Sequence, residues 1–213
     1  MLSNQLLSAT LGLRQLKAQE KKVFTMTATT TTITTLPGYV AGTWTIDPVH
    51  SDVGFTVRHM MVSKVRGRFA RFEGQIVTGE NPADSTVTAS IDLASIDTNN
   101  AQRDTHIRSA DFFEVETYPT MTYQSTGVHQ DGNDLVLDGD LTLKGVTKSV
   151  PLRLELNGFG PDAYGGTRAG FTATAEINRR DFGVNFNAAI ETGGAVVSDK
   201  IAIHLEIEAV LAV

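Results

Sequence analysis

The sequence predicts an all-β fold: a single antiparallel barrel of eight strands with a short helical insertion near residues 98–113. Three observations carry this. Apolar and polar residues alternate over eight separate segments, the period of a strand with one buried face. Turn-forming residues separate those segments at hairpin spacing. Strands of this length would leave long open edges in a sandwich, and few prolines are placed to blunt them, so a closed barrel is favoured over two open sheets.

The folded body begins near Tyr39 or Thr43. Its first strand combines Thr43–Asp47 with Ser51–Met60, broken at Asp47-Pro48 because proline lacks an N–H and constrains its predecessor. Val53, Phe55, Val57 and His59 then share one face, and Asp52, Gly54, Thr56, Arg58 and Met60 the other. The second strand is Val65–Thr78. The third, Thr86–Ala94, aligns Val87, Ala89, Ile91 and Leu93. Thr120–Val128 follows, then Asp134–Leu143 with Leu135, Leu137, Leu141 and Leu143. Ser149–Asn157 shows Val150, Leu152, Leu154 and Leu156. Arg168–Asn178 shows Phe171, Ala173, Ala175 and Ile177, and Lys200–Val210 shows Ile201, Ile203, Leu205 and Ile207. The expected turns are Asn81-Pro82-Ala83-Asp84, Gln130-Asp131-Gly132-Asn133, Lys144-Gly145, Gly158-Phe159-Gly160-Pro161 and Gly193-Gly194.

One stretch reads helical, Thr98–Arg108, with Thr98 or Asn99 as its cap. Ser109 starts a second short turn through Phe113, and Tyr118-Pro119 ends the connection. A partly helical link this long between strands is the usual form of a lid or plug.

Composition narrows the function. The charge of −6 is uneven: Arg14, Lys17, Lys21 and Lys22 against Glu20 give residues 1–38 +3, leaving −9 on the rest. An acidic body suits a phosphate backbone poorly, so no nucleic-acid partner is expected. The chain has no cysteine, which removes disulfides, thiolate metal sites and Cys nucleophiles.

Residues 1–38 read as a disordered N-terminal extension with a threonine-rich linker at Thr25–Thr35, and residues 39–213 as the barrel domain. Leu6, Leu7, Leu11, Leu13 and Leu16 form a weak helical pattern. The charges follow these leucines, and Ser8, Thr10 and Gly12 interrupt them, so the segment does not read as a secretory signal. No run approaches the ~18 apolar residues of a membrane-spanning helix. Met26 is an alternative start, and the expected location is cytoplasmic.

Few residues point to catalysis. His50, His59, His106, His129 and His204 form no local metal motif. A long-range site from His50, His59, His106 and Asp104 is an open alternative, as an enzyme acting on a lipophilic substrate. No Gly-x-Ser-x-Gly elbow occurs, and Gly158-x-Gly160-x-x-Ala163 lacks the βαβ setting of a dinucleotide loop, so it reads as a turn. Arg66, Arg68 and Arg71 interleave with Phe69 and Phe72, which reads as a solvated strand face with inward aromatics. Arg103, Asp104, His106, Arg108 and Asp111 form either helix-face ion pairs, Asp104 with Arg108, or a polar rim at a barrel mouth. His59 ends an otherwise apolar row, either as a satisfied core residue or as a polar group in a greasy pocket.

The segments Trp44–Met60, Val65–Phe69, Asn99–Phe113, Tyr118-Pro119, Gly139–Lys148 and Ile177–Gly183 run in order over nearly all of residues 43–213, and together they resemble the YceI-like family. The resemblance implies an extended, lipocalin-like barrel that holds a long isoprenoid, polyprenyl or quinone-like, with dimeric forms and no established enzymatic activity. No cofactor is implied beyond that lipid. Many relatives are exported. Small barrels of about eight strands either fill with side chains or hold one ligand. The inward Ala89, Gly139, Ala173 and Ala175 leave room for a guest. The expected ligand-binding set is therefore Phe55, Val57, Phe69, Phe112, Leu137, Leu141, Leu154, Phe171 and Ala173 around the chain, with His59, Asp104, His106 and Arg108 near its head group. A third reading, a barrel filled by its own core, predicts no extractable ligand.

Overall fold

The computed structural model describes residues 37–188 and 196–212. Residues 1–36 of the N-terminal extension, with the threonine run and the Met26 start, and the Gly193-Gly194 turn lie outside these residues. In chain order the elements are β1 (Gly42–Ile46), β2 (Asp52–His59), β3 (Ser63–Phe69), β4 (Phe72–Thr78), β5 (Thr86–Asp92), β6 (Ile96–Asp97), α1 (Ala101–Arg108), β7 (Thr120–Asp131), β8 (Asp134–Leu143), β9 (Val146–Ser149), β10 (Leu152–Pro161), β11 (Thr167–Asn178) and β12 (Val197–Leu211).

Two pairs of these elements are single barrel strands with a break. β12 pairs along one edge with both β1, through Trp44–Leu211 and Ile46–Ala209, and β2, through Asp52–Glu206 and Val53–Leu205. Five residues separate Ile46 from Asp52, but only Ile207 and Glu208 separate their partners, so Pro48, Val49 and His50 loop outward. Ser51 keeps the ladder satisfied across the gap. Its Oγ accepts from Glu208 N at 2.9 Å and donates to Glu208 O at 3.2 Å. β3 and β4 are likewise one strand, bent at Ala70-Arg71, whose amides bond Ser95 O at 3.1 Å and Ser95 Oγ at 3.0 Å. With these joined, β1/β2, β3/β4, β5, β7, β8, β10, β11 and β12 form a closed eight-stranded antiparallel barrel. β6 and β9 are short additions on β3 and β8.

Two expected boundaries are corrected. Gly158-Phe159-Gly160-Pro161 is not a turn; it continues β10 opposite Gly170 to Thr167 through a bulge after Leu156. Phe159 is held there by aromatic contacts to Trp44 at 5.7 Å and Phe171 at 6.0 Å. The turn falls at Asp162, whose Oδ1 accepts from Tyr164 N and Gly166 N at 2.8 and 2.7 Å. The cap of α1 is Asn100, whose Oδ1 accepts from Arg103 N at 2.9 Å, one or two residues later than expected.

The two ends of the barrel differ. The end carrying α1, here called upper, also holds the β2–β3 hairpin and the 3₁₀ turn Arg179–Phe182. The lower end is plugged by Tyr39, Trp44, Phe159 and Phe171, with Trp44 Nε1 donating to Thr78 Oγ1 at 2.8 Å.

Candidate functional site

The inward rows enclose a cavity of about 450 Å³. Its middle wall is carbon: Phe55, Val57, Phe69, Ile91, Leu137, Leu141, Leu154, Phe171, Ala173 and Leu205 all face it. Alternation along each strand produces this wall, because residues i, i+2 and i+4 share a face. The wall extends along β12 from Val197 to Ile207, so the space is a slot parallel to the barrel axis. At ~3.3 Å per residue and a strand tilt of ~40°, that stretch corresponds to about 25 Å of axial length.

Polar groups gather at the upper end. His59, Arg103, His106 and Arg179 line the cavity there, with Phe112, Phe186 and Val196. His106 and Phe186 are also solvent-exposed, which makes this end the mouth. His106 is held edge-on against both Phe112 and Phe186, with centroids 5.1 and 5.0 Å away. Its Nε2 lies 2.8 Å from Asp111 Oδ2. Arg103 turns inward from α1 and donates to Thr98 Oγ1 at 2.7 Å and Thr98 O at 2.6 Å. Arg179, buried, gathers the far rim: it donates to Val184 O at 2.6 Å, Phe186 O at 2.8 Å and Ser198 O at 3.1 Å. Burial lowers the pKa of its guanidinium, and the nearby Asp199 opposes that shift.

The structure brings together every expected binding residue except Asp104 and Arg108. Both belong to the support behind the mouth. Asp104 is buried and accepts from Thr98 N at 3.0 Å and from Thr98 Oγ1. Arg108 donates to Ala94 O and Ile96 O, each at 2.9 Å. They do not pair with each other, contrary to the helix-face reading, because both are turned toward β6 and its flanks. Gly139 does not widen the cavity: a Cβ there would stand 2.4 Å from the Tyr123 ring, so the phenol occupies that space. Tyr123 Oη donates to a carbonyl, with Leu137 O and Val150 O both at 3.1 Å, and burial pushes its pKa up. Ala175 also lies outside the wall, whereas Ala89 and Ala173 belong to it.

The long-range metal quartet does not assemble. His50 lies at the strand break near the lower end, with Nδ1 2.7 Å from Asp47 Oδ2 and 4.0 Å from Glu208 Oε1. Among the described residues these three are the one group spaced like metal ligands. Both carboxylates already bond the Arg168 guanidinium. Arg179, which sequence reading missed, and Arg103, which it named in the polar cluster but not in the binding set, sit on helical turns, where strand alternation says nothing about direction.

Fold and cavity together define a class: a closed antiparallel barrel whose apolar interior has one polar mouth. The chain matches the YceI-like domain over residues 44–209 and belongs to the YceI-like family. A UPF0312 protein of Photorhabdus laumondii is 46% identical over 140 residues, covering 65% of this chain and 72% of that protein. Protein YceI of Escherichia coli O157:H7 is 46% identical over 136 residues, covering 63% and 71%. The solved YceI protein of Campylobacter jejuni superposes with a TM-score of 0.62 at 30% identity, over 78% of this chain and 96% of that one. A polyisoprenoid-binding domain from Saccharophagus degradans, implicated in plant cell wall breakdown, has a TM-score of 0.61 at 20% identity, over 81% and 100%. At that identity the likeness speaks for the fold alone.

Proposed function

We propose that the barrel binds and shields one long apolar isoprenoid, polyprenyl or quinone-like, as a carrier, store or sensor. The observation that carries this is the wall: an axial slot of about 450 Å³, within the range of ~300–1,000 Å³ usual for ligand sites, with its polar residues confined to the ends. An elongated apolar slot accepts a chain more readily than a compact ring system. Burial of a tail yields ~25 cal/mol per Å² removed from water, enough for retention without any catalytic step. The Saccharophagus neighbour is a polyisoprenoid-binding domain, which supports this ligand class.

The mouth supplies the polar partners for a head group. His59, Arg103 and His106 are the wall residues placed for it; Asp104 and Arg108 hold α1 in position behind them.

Organic extraction of protein purified from its native host, followed by mass spectrometry, tests the reading. The expected result is a polyprenyl or quinone near one per barrel. An extract without such a lipid, from protein that also fails to take up added isoprenoid, overturns it. The head-group assignment is tested separately. His59→Ala and His106→Ala are expected to shorten lipid retention severalfold, and unchanged retention in both variants removes these residues from the site.

A further inference from the structure

We propose that the β2–β3 hairpin tip beside the mouth is a membrane-docking element, which seats the barrel on an anionic lipid surface. Met60, Met61 and Val62 form this tip and are 43%, 64% and 87% exposed. Three consecutive large apolar side chains in water at one hairpin end form a patch of the kind that marks an interaction surface. The backbone adds a second observation. Met60 and Met61 have φ of 50° and 58°, the left-handed region in which hairpin turns ordinarily place Asn or Gly. Methionine at both positions gives up turn preference and keeps two long apolar side chains at the apex.

Charge identifies the occupant. On the outward face below the tip, Arg58 and Lys64 stand directly opposite each other, and Arg66 and Arg68 continue the row along β3. Like charges facing across strands repel, a cost that an apposed anionic surface relieves. Of the acids around this face, Asp97 faces Arg68, Glu176 pairs with Lys200, and Asp199 bonds Arg179 and Arg180, while Asp52 lies at the opposite end of β2 from the tip. Arg58, Lys64 and Arg66 form no ion pair among the described residues. The result is a basic strip under an apolar tip on a chain of net charge −6. That combination fits a surface with apolar depth and negative head groups: the tip enters the head-group boundary and the strip lies on the phosphates. His59, the residue before the tip, already lines the cavity, and Met60 N bonds Val196 O at 2.8 Å on the same rim. Docking here turns the mouth toward the bilayer. The purpose, passing a lipid between membrane and barrel, rests on the carrier reading above; the contact itself rests on tip and strip alone.

The test is flotation of the full chain with vesicles of phosphatidylcholine alone and of phosphatidylcholine mixed equally with phosphatidylglycerol. Binding is expected to the mixed vesicles only, falling as salt rises from about 0.1 M to about 1 M, where the screening length shrinks from ~10 to ~3 Å. Lys64→Glu with Arg66→Glu is expected to weaken it by about thirtyfold or more, from roughly a fivefold contribution per basic residue near such a surface. Met61→Asp with Val62→Asp is expected to abolish it, while the melting temperature stays level because aspartate tolerates the left-handed backbone at position 61 better than methionine and Val62 is 87% exposed. Three outcomes overturn the proposal: no vesicle binding by the wild type, binding unaffected by the tip variant, or a wild-type dimer that the tip variant dissolves without any vesicle contact. The first of these together with a lipid-loaded extract leaves the carrier reading standing. Tip-dependent binding together with an empty barrel leaves docking standing and removes the carrier.

Discussion

Arg168 shows how much of the barrel's closure falls on one side chain. Its guanidinium bonds Asp47 at 2.7 Å, Asp162 at 3.3 Å and Glu208, joining the β1/β2 break to β11, the turn before it and β12. The Arg168 bond, then that from His50, holds the Asp47 carboxyl well below the ordinary carboxylate range. Arg71 does the same to Asp92, and Arg180 to Asp199. For a depressed carboxyl, the unfolded chain binds more protons at acid pH. The stability is therefore complete above the unfolded value near ~4 and is lost as pH falls through and below it. Thermal melts should be level from neutral pH to about 5 and drop below about 4. Asp47→Asn should cost ~1.5–3 kcal/mol at neutral pH, the range for a hydrogen bond to a charged group, and make the acid limb shallower. An unchanged acid limb in that variant would assign the pH dependence to other carboxylates. This latch was not legible in the sequence, since its members are separated by up to 161 positions and share no pattern. The inward rows were legible, because alternation is local. His59 was placed by that rule alone.

At the scale of the element, α1 is the informative case. Eight residues are too few to hold a helix by their own propensity, so tertiary bonds must hold it. Asn100 caps it, Asp104 ties its first turn to Thr98, and Arg108 ties its last turn to the carbonyls of Ala94 and Ile96. Polar side chains at this spacing correctly announced a helical insertion, yet their direction could not be read. The helix rests on backbone groups, which every sequence supplies equally. Removing Arg108 leaves two part-buried carbonyls without their donor, at ~1–3 kcal/mol. Hydrogen exchange should then accelerate in residues 98–113 of Arg108→Ala more than in the barrel strands. Arg108→Lys should rescue little, because one ammonium lacks the fork that spans two carbonyls. Uniform acceleration across the barrel would instead make Arg108 part of the global core. The broken first strand was legible for a different reason: Pro48 removes a ladder donor wherever it sits, and the break appears at that position.

For the whole molecule, the question is whether the interior is a room or a core, and the two answers respond oppositely to added volume. Ala89 and Ala173 lie on the wall in the middle of their strands, and Ala173 stands between Leu154 and Leu205. In a close-packed core, inserting methylenes forces side chains off their rotamers and costs ~1–3 kcal/mol. Over a cavity of about 450 Å³ the added carbons enter open space and gain contacts instead. Ala89→Leu with Ala173→Leu should therefore melt at or above the wild-type temperature when both are stripped of lipid. The same variant should lose the stabilisation that added isoprenoid confers, which for the wild type grows as RT ln(1 + [L]/Kd) and reaches ~2.7 kcal/mol at a hundredfold excess over Kd. Stability kept and ligand response lost is the signature of a container whose space is used. Destabilisation of the stripped double variant, together with a wild type indifferent to isoprenoid, would mean that the side chains close over the slot in solution and that the barrel is filled by its own core.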